Sequence, residues 1–236
     1  MKTIIHKAAN RGFQNHGWLQ AAHSFSFANY YDPKKMHFGL LRVLNDDRIA
    51  GGMGFGTHGH DNMEIVTIPL KGALAHKDSL GSSGVIGPDE IQVMSAGKGI
   101  QHSEFNASAT EEVNLLQIWV FPKERNIQPR YDQKKYDPAL FQNNLHTVVS
   151  PEKGDDAMWI NQDAFFSMGD FDAGQEFSYQ IKHPGNGAYV FIISGSVDVA
   201  GEKLGSRDAI GVFDTDAFHI SVSEKAKILV IDVPME

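Results

Sequence analysis

Cysteine is absent from the 236 residues, which excludes disulfides, thiolate metal sites and cysteine nucleophiles together. Also missing is any apolar run long enough to cross a membrane as a helix, and residues 1–10 lack the apolar core of a signal peptide. The expectation is a cytoplasmic protein without membrane attachment. Positive charge is in deficit: Lys and Arg number 21 against 29 Asp and Glu, for a net charge of -8, and no basic cluster interrupts it. A duplex would be repelled by such a surface, so direct nucleic-acid binding is not expected. Long amphipathic helices are lacking too. Helical spacing is confined to short pieces around 17–22, 138–143 and 163–168.

What the chain does have is a period of two. Short apolar stretches at 64–70, 90–94, 114–121, 188–193 and 227–233 alternate with turn chemistry such as Lys71-Gly72, Ser194-Gly195 and Ala200-Gly201. Strands at this spacing predict an all-β sandwich or barrel. An internal echo predicts two of them. Residues 66–82 and 190–206 both read strand, glycine turn, strand, then Leu-Gly-Ser. The two halves are placed at 1–137 and 138–236, with the connection inside the polar, proline-bearing stretch 122–144.

Two short patterns carry chemistry. In an extended strand alternate residues share a face, so His58 with His60, and His102 with Glu104, each direct two ligands the same way. One His-x-His is weak evidence, because such pairs arise by chance; a second pair on another glycine-flanked strand is much stronger. Three imidazoles and one carboxylate suit Fe, Ni, Cu, Mn or Zn in the divalent state and leave positions open for substrate. Glu64 lies close to the first pair, and spacing alone does not choose between it and Glu104. Extending the repeat places Ile181 and His183 opposite the first pair, and Ser221 and Ser223 opposite the second. Only one imidazole survives there, so a second ion is not expected, and His183 and His219 read as ordinary histidines.

Gly52, His58, His60 and Glu64, followed by Gly99, His102 and Asn106, follow the two cupin motifs, with Gly97 where a proline is customary. The stretches HGWLQAAHSFSFANYYDP (16–33), FGTHGHDNMEIVT (55–67) and VMSAGKGIQHSEFN (93–106) resemble the signatures of the pirins, particularly the bacterial pirin-like quercetin dioxygenases. The resemblance implies a bicupin of two tandem jelly-roll β-barrels, with the metal in the N-terminal one. It implies His58, His60, His102 and Glu104 as ligands of one divalent ion, with Fe(2+) first and Ni, Cu, Mn, Co or Zn as alternatives. Glu64 is then an unliganded acid that orients an imidazole, and Asp61 is a weaker candidate for the same task.

The implied activity is oxygenation: O2 opens the central ring of a flavonol such as quercetin and carbon monoxide leaves, with Glu104 as the base for the substrate hydroxyl. Apolar walls are expected from Phe55 and Met63, and from the face of strand 114–121 that carries Leu115, Gln117 and Trp119. His76 reads as a surface or rim histidine, and the aromatic run 25–31 as packing beneath the barrel. Two rival readings stand beside the oxygenase. The resemblance extends to animal pirins, which implies a non-enzymatic, metal-dependent regulator with a protein partner. A different cupin reaction without O2 is the other, since one fold hosts many chemistries.

Overall fold

The computed structural model describes residues 1–154 and 156–236. Among them there are twenty β-strands and two short 3-10 turns, Ala8–Asn10 and Pro138–Phe141. The strands form three sheets. A four-stranded sheet carries Gly54–His60, Ile100–Asn106, Leu74–Asp78 and Ser83–Ile86, in that order. A seven-stranded sheet runs from Arg130–Lys135 through Glu90–Ser95, Glu64–Lys71, Val113–Val120 and Leu41–Ile49 to the strands Leu19–His23 and Gly12–Asn15. The C-terminal half builds a nine-stranded sheet, in which the N-terminal strand Lys2–His6 pairs antiparallel with Ala209–Phe213. The chain start is thus woven into the far half of the molecule.

The largest apolar cluster lies between the seven- and nine-stranded sheets. Leu41, Val66, Leu116 and Val120 from one side meet Val148, Phe166, Phe191 and Leu229 from the other, all fully buried. Both sheets need two covered faces, which explains their near-continuous apolar strands in place of clean alternation. Polar ties cross the same boundary. Arg207 Nε donates to Asp46 at 2.8 Å and Asn161 N to the Glu64 carboxylate at 3.1 Å, while Arg11, from the same half as Asp46, donates to the same Asp46 oxygen at 3.3 Å.

Three helical expectations meet different outcomes. Residues 138–143 do turn, as the 3-10 segment Pro138–Phe141, whose first turn is capped by Asp137 accepting from Ala139 N at 3.0 Å. Residues 17–22 and 163–168 instead enter the strands Leu19–His23 and Phe165–Phe171. In the first, Leu19, Ala21 and His23 alternate inward, a period of two hidden by small alanines; in the second, burial on both faces erases the alternation. The expected turn at Ser194-Gly195 is a bulge within the long strand Asn186–Val199. Gly195 has φ +90°, and a Cβ there would lie 2.1 Å from Lys225 O, so only glycine lets the bulged strand approach its neighbour.

The repeat register also shifts. The strand Glu176–Gln180 pairs with the start of Ala217–Pro234, with Ser178 opposite His219, whereas His183 lies beyond that strand in an exposed loop. The extrapolation failed because strand and loop lengths differ between the halves. Tyr179, Phe218, Ile220 and Val222 fill the interior at this place with apolar side chains.

Candidate metal centre and substrate cavity

The four-stranded sheet brings the sequence pairs together. His58 lies opposite His102 and Ile100 opposite His60, and a register shift after His102 re-aims Glu104, which lies opposite Phe55. Gly54 permits that bend, since a Cβ there would lie 2.3 Å from Glu104 O. Ligating atoms of His58, His60 and His102 all lie within 4.8 Å of one another; so do those of His76, His102 and Glu104. His102 belongs to both sets.

Three of these groups keep a coordination atom free. His58 Nδ1 lies 2.8 Å from Gly56 O, so it carries the proton and leaves Nε2 with a lone pair. His102 Nε2 is buried without a hydrogen-bond partner, and so is Glu104 Oε1. Orphaned buried atoms are costly unless something fills the gap, and these two fit a divalent ion by donor type. Burial holds the imidazoles of His60 and His102 far below their ordinary value, at about 4 and about 3. Both rings are therefore neutral at pH 7, as a ligand must be. Burial pushes the isolated Glu104 carboxyl up to about 7, against the hydrogen bond from Gln117.

That hydrogen bond is itself oriented. Gln92 Nε2 donates to Thr67 Oγ1 at 3.2 Å, and Thr67 Oγ1 donates to Gln117 Oε1 at 2.9 Å. The Gln117 amide must then turn its NH2 towards Glu104, where it donates to Oε2 at 3.0 Å. Behind His102 stands a second pair. His76 is 3% exposed, with Nε2 at 3.0 Å from Asp78 Oδ2 and Nδ1 at 3.5 Å from His102 Nδ1. The expected surface or rim position of His76 is corrected: its strand turns it inward, stacked on Tyr131 at 4.4 Å.

A cavity of about 200 Å³ opens beside the histidines. Phe27, Phe55 and Trp119 form its apolar walls, and Asn45, Asp47 and Gln117 its polar ones, together with His58, His60 and Glu104. Of the sequence candidates, Phe55, Gln117 and Trp119 line the space. Met63 does not. It follows the end of the Gly54–His60 strand and packs against Ile65, Met94, Ala96 and Ile100. Leu115 packs with Leu19, Ile49 and Leu74. Glu64 is fully buried, and its Oε2 accepts from Ser95 Oγ at 2.7 Å and from Asn161 N. Asp61 is exposed and accepts from Asn62 Nδ2 at 3.4 Å.

Two wall residues were not foreseen. Phe27 stands edge-on to Trp119 at 5.2 Å; its aromatic run read as packing, and Phe25 does pack in the core. Asp47 is 5% exposed and its Oδ1 has no partner. Burial, then the charges of Asp46 and Glu104, push its carboxyl up to about 8. Its alternation with Asn45 on the Leu41–Ile49 strand was the available signal, masked because Asp46 between them is also acidic and serves the inter-barrel tie.

Two jelly-roll halves packed through their large sheets, with an imidazole cluster in the first, define a bicupin with a metal-binding centre. Residues 6–120 match the pirin family and residues 147–233 the quercetinase C-terminal cupin domain. The chain is 40% identical over 230 residues to quercetin 2,3-dioxygenase of Escherichia coli K12, covering 98% of each. It is 41% identical over 223 residues to a putative quercetin 2,3-dioxygenase of Pseudomonas aeruginosa, covering 94% of this chain and 95% of that one. The solved structure of the E. coli bacterial pirin YhhW in complex with nickel(II) aligns with TM-score 0.93 at 39% identity, over 99% of each chain. The chain belongs to the pirin family.

Proposed function

We propose that this protein is a metal-dependent flavonol dioxygenase, in which His58, His60, His102 and Glu104 hold one divalent ion. The observation that carries the reading is the pair of orphaned ligand atoms, His102 Nε2 and Glu104 Oε1, beside His58 and His60 on a cavity with aromatic walls. When bound, the ion supplies Lewis acidity towards the substrate's hydroxyl and ketone oxygens and a redox-capable centre for O2. Fe(2+) or Ni(2+) fits the donor set, and the nickel(II) complex of the E. coli relative supports a metal in this family.

The remaining work falls to side chains. Phe27, Phe55 and Trp119 receive a flat aromatic substrate and exclude water from its central ring. The Trp119 indole N–H, buried without a partner, is free to donate to a substrate oxygen. Asp47 offers a buried acceptor on the opposite strand for a phenolic hydroxyl. Glu104 is the base that takes the proton of the substrate hydroxyl, while Gln117 keeps its Oε2 in place. O2 then opens the ring to a depside, and one ring carbon leaves as carbon monoxide.

The test is to load the protein with Fe(2+) or Ni(2+) and follow quercetin loss, O2 uptake and carbon monoxide together. The three should proceed in a 1:1:1 ratio and vanish in His58→Ala. Quercetin binding without O2 uptake in the fully loaded protein would eliminate the oxygenase and favour the regulatory reading.

A further inference from the structure

His76 and Asp78 do not line the cavity, and both side chains are fully buried behind His102. We propose that Asp78 and His76 form a hydrogen-bond relay that fixes the tautomer of His102, so that its Nε2 presents a lone pair to the ion. The inference rests on His102 being a metal ligand. His76 and Asp78 are positioning residues in it, acting only through His102.

The strand register builds the relay. On the Leu74–Asp78 strand, His76 lies directly opposite Glu104 and Asp78 opposite His102, so the alternate pair His76 and Asp78 faces the same way as the alternate pair His102 and Glu104. The direction of each hydrogen bond follows from the donors available. Asp78 Oδ1 already accepts two backbone N–H groups, Leu80 at 2.9 Å and Ser82 at 3.0 Å. A carboxylate has no proton to give, so Oδ2 accepts from His76 Nε2–H across 3.0 Å. A neutral His76 then has its lone pair on Nδ1. That atom faces His102 Nδ1 at 3.5 Å and accepts its proton-bearing N–H. His102 Nε2 is left as the lone-pair nitrogen, and it is the atom found buried and unpartnered. The stacking of His76 on Tyr131, with ring planes 22° apart, prevents the ring from turning out of line. A carboxylate that orients a ligating imidazole strengthens it as a donor; here a second imidazole is interposed.

Asp78→Asn inverts this logic. The two backbone N–H groups keep the amide oxygen, so its NH2 turns to His76 Nε2. His76 must then carry its proton on Nδ1, and His102 Nδ1 becomes the acceptor. The remaining proton moves to His102 Nε2, the atom that should bind the ion.

The first measurement needs no variant: long-range 1H–15N spectra of the metal-free protein should show His102 protonated on Nδ1, and Asp78→Asn should move the proton to Nε2. The second is Ni(2+) affinity by calorimetry. Asp78→Asn and His76→Phe, which keeps the stacking on Tyr131, should each bind Ni(2+) about 10- to 100-fold more weakly. The relay is overturned if the unsubstituted protein carries the His102 proton on Nε2. It is equally overturned if both variants match the parent affinity while His58→Ala loses binding. Undiminished binding by His58→Ala would bring down the ligand assignment beneath it.

Discussion

In the proposed site Glu104 would meet two demands at one carboxylate, as ligand and as proton acceptor, and both would fall on the open Oε1, because Oε2 is held by Gln117. Glu104→Gln, compared with the parent at equal metal content, should bind quercetin yet turn over about 100-fold or more slowly, because an amide takes no proton at neutral pH. Near-equal turnover would leave Glu104 as a ligand alone. Asp47→Leu should raise the KM for a polyhydroxylated flavonol about tenfold with a smaller change for one lacking the extra hydroxyls, the cost of one buried hydrogen bond. An equal effect on both substrates would remove Asp47 from substrate contact. The alternate-residue logic that picks out His58 with His60 and His102 with Glu104 applies equally to His76 with Asp78, and to Asn45 with Asp47. Sequence alone does not single these pairs out, because one histidine or one aspartate on a strand more often reflects ordinary burial or exposure. Only the cross-strand register shows that these pairs converge.

At the scale of strands, the site depends on the bend between His102 and Glu104 and on the close approach of Gly54 to that strand. Gly54→Ala should push the two strands apart, destabilise the protein by about 1–3 kcal/mol and lower metal affinity in the same variant; unchanged urea unfolding would show that the strands absorb the methyl freely. Period-two reading located the strands 64–71, 90–95 and 113–120 to within a residue or two. It failed where both faces are covered, as in Phe165–Phe171, and where alanine stands for the inward residue, as in Leu19–His23. The bulge at Gly195 read as a turn, because glycine marks both and only the partner strand distinguishes them.

Over the whole molecule, buried carboxyls set a pH dependence of stability. Asp47, Glu64 and Glu104 are raised to about 8, 7 and 7, whereas unfolded carboxyls titrate near 4. Between pH 7 and 8.5 the folded metal-free protein therefore holds protons that the unfolded chain has released. Its stability should fall as pH rises, by about 1.4 kcal/mol per pH unit for each proton retained. His60 and His102, lowered to about 4 and 3, are neutral in the folded state there and mostly neutral in the unfolded chain, so they oppose the slope only weakly near pH 7. A saturating divalent ion should flatten it, since the ion favours ionised Glu104. Urea unfolding at pH 7 and 8.5, with and without Ni(2+), checks this; a stability that rises with pH would contradict it. The account turns on whether the ion sits among His58, His60, His102 and Glu104 together, and an anomalous-diffraction map at the nickel edge answers that directly. One peak per chain is expected, about 2.1 Å from nitrogens of His58, His60 and His102 and from an oxygen of Glu104. A peak between His76, His102 and Glu104, or a second one in the C-terminal half, would contradict it.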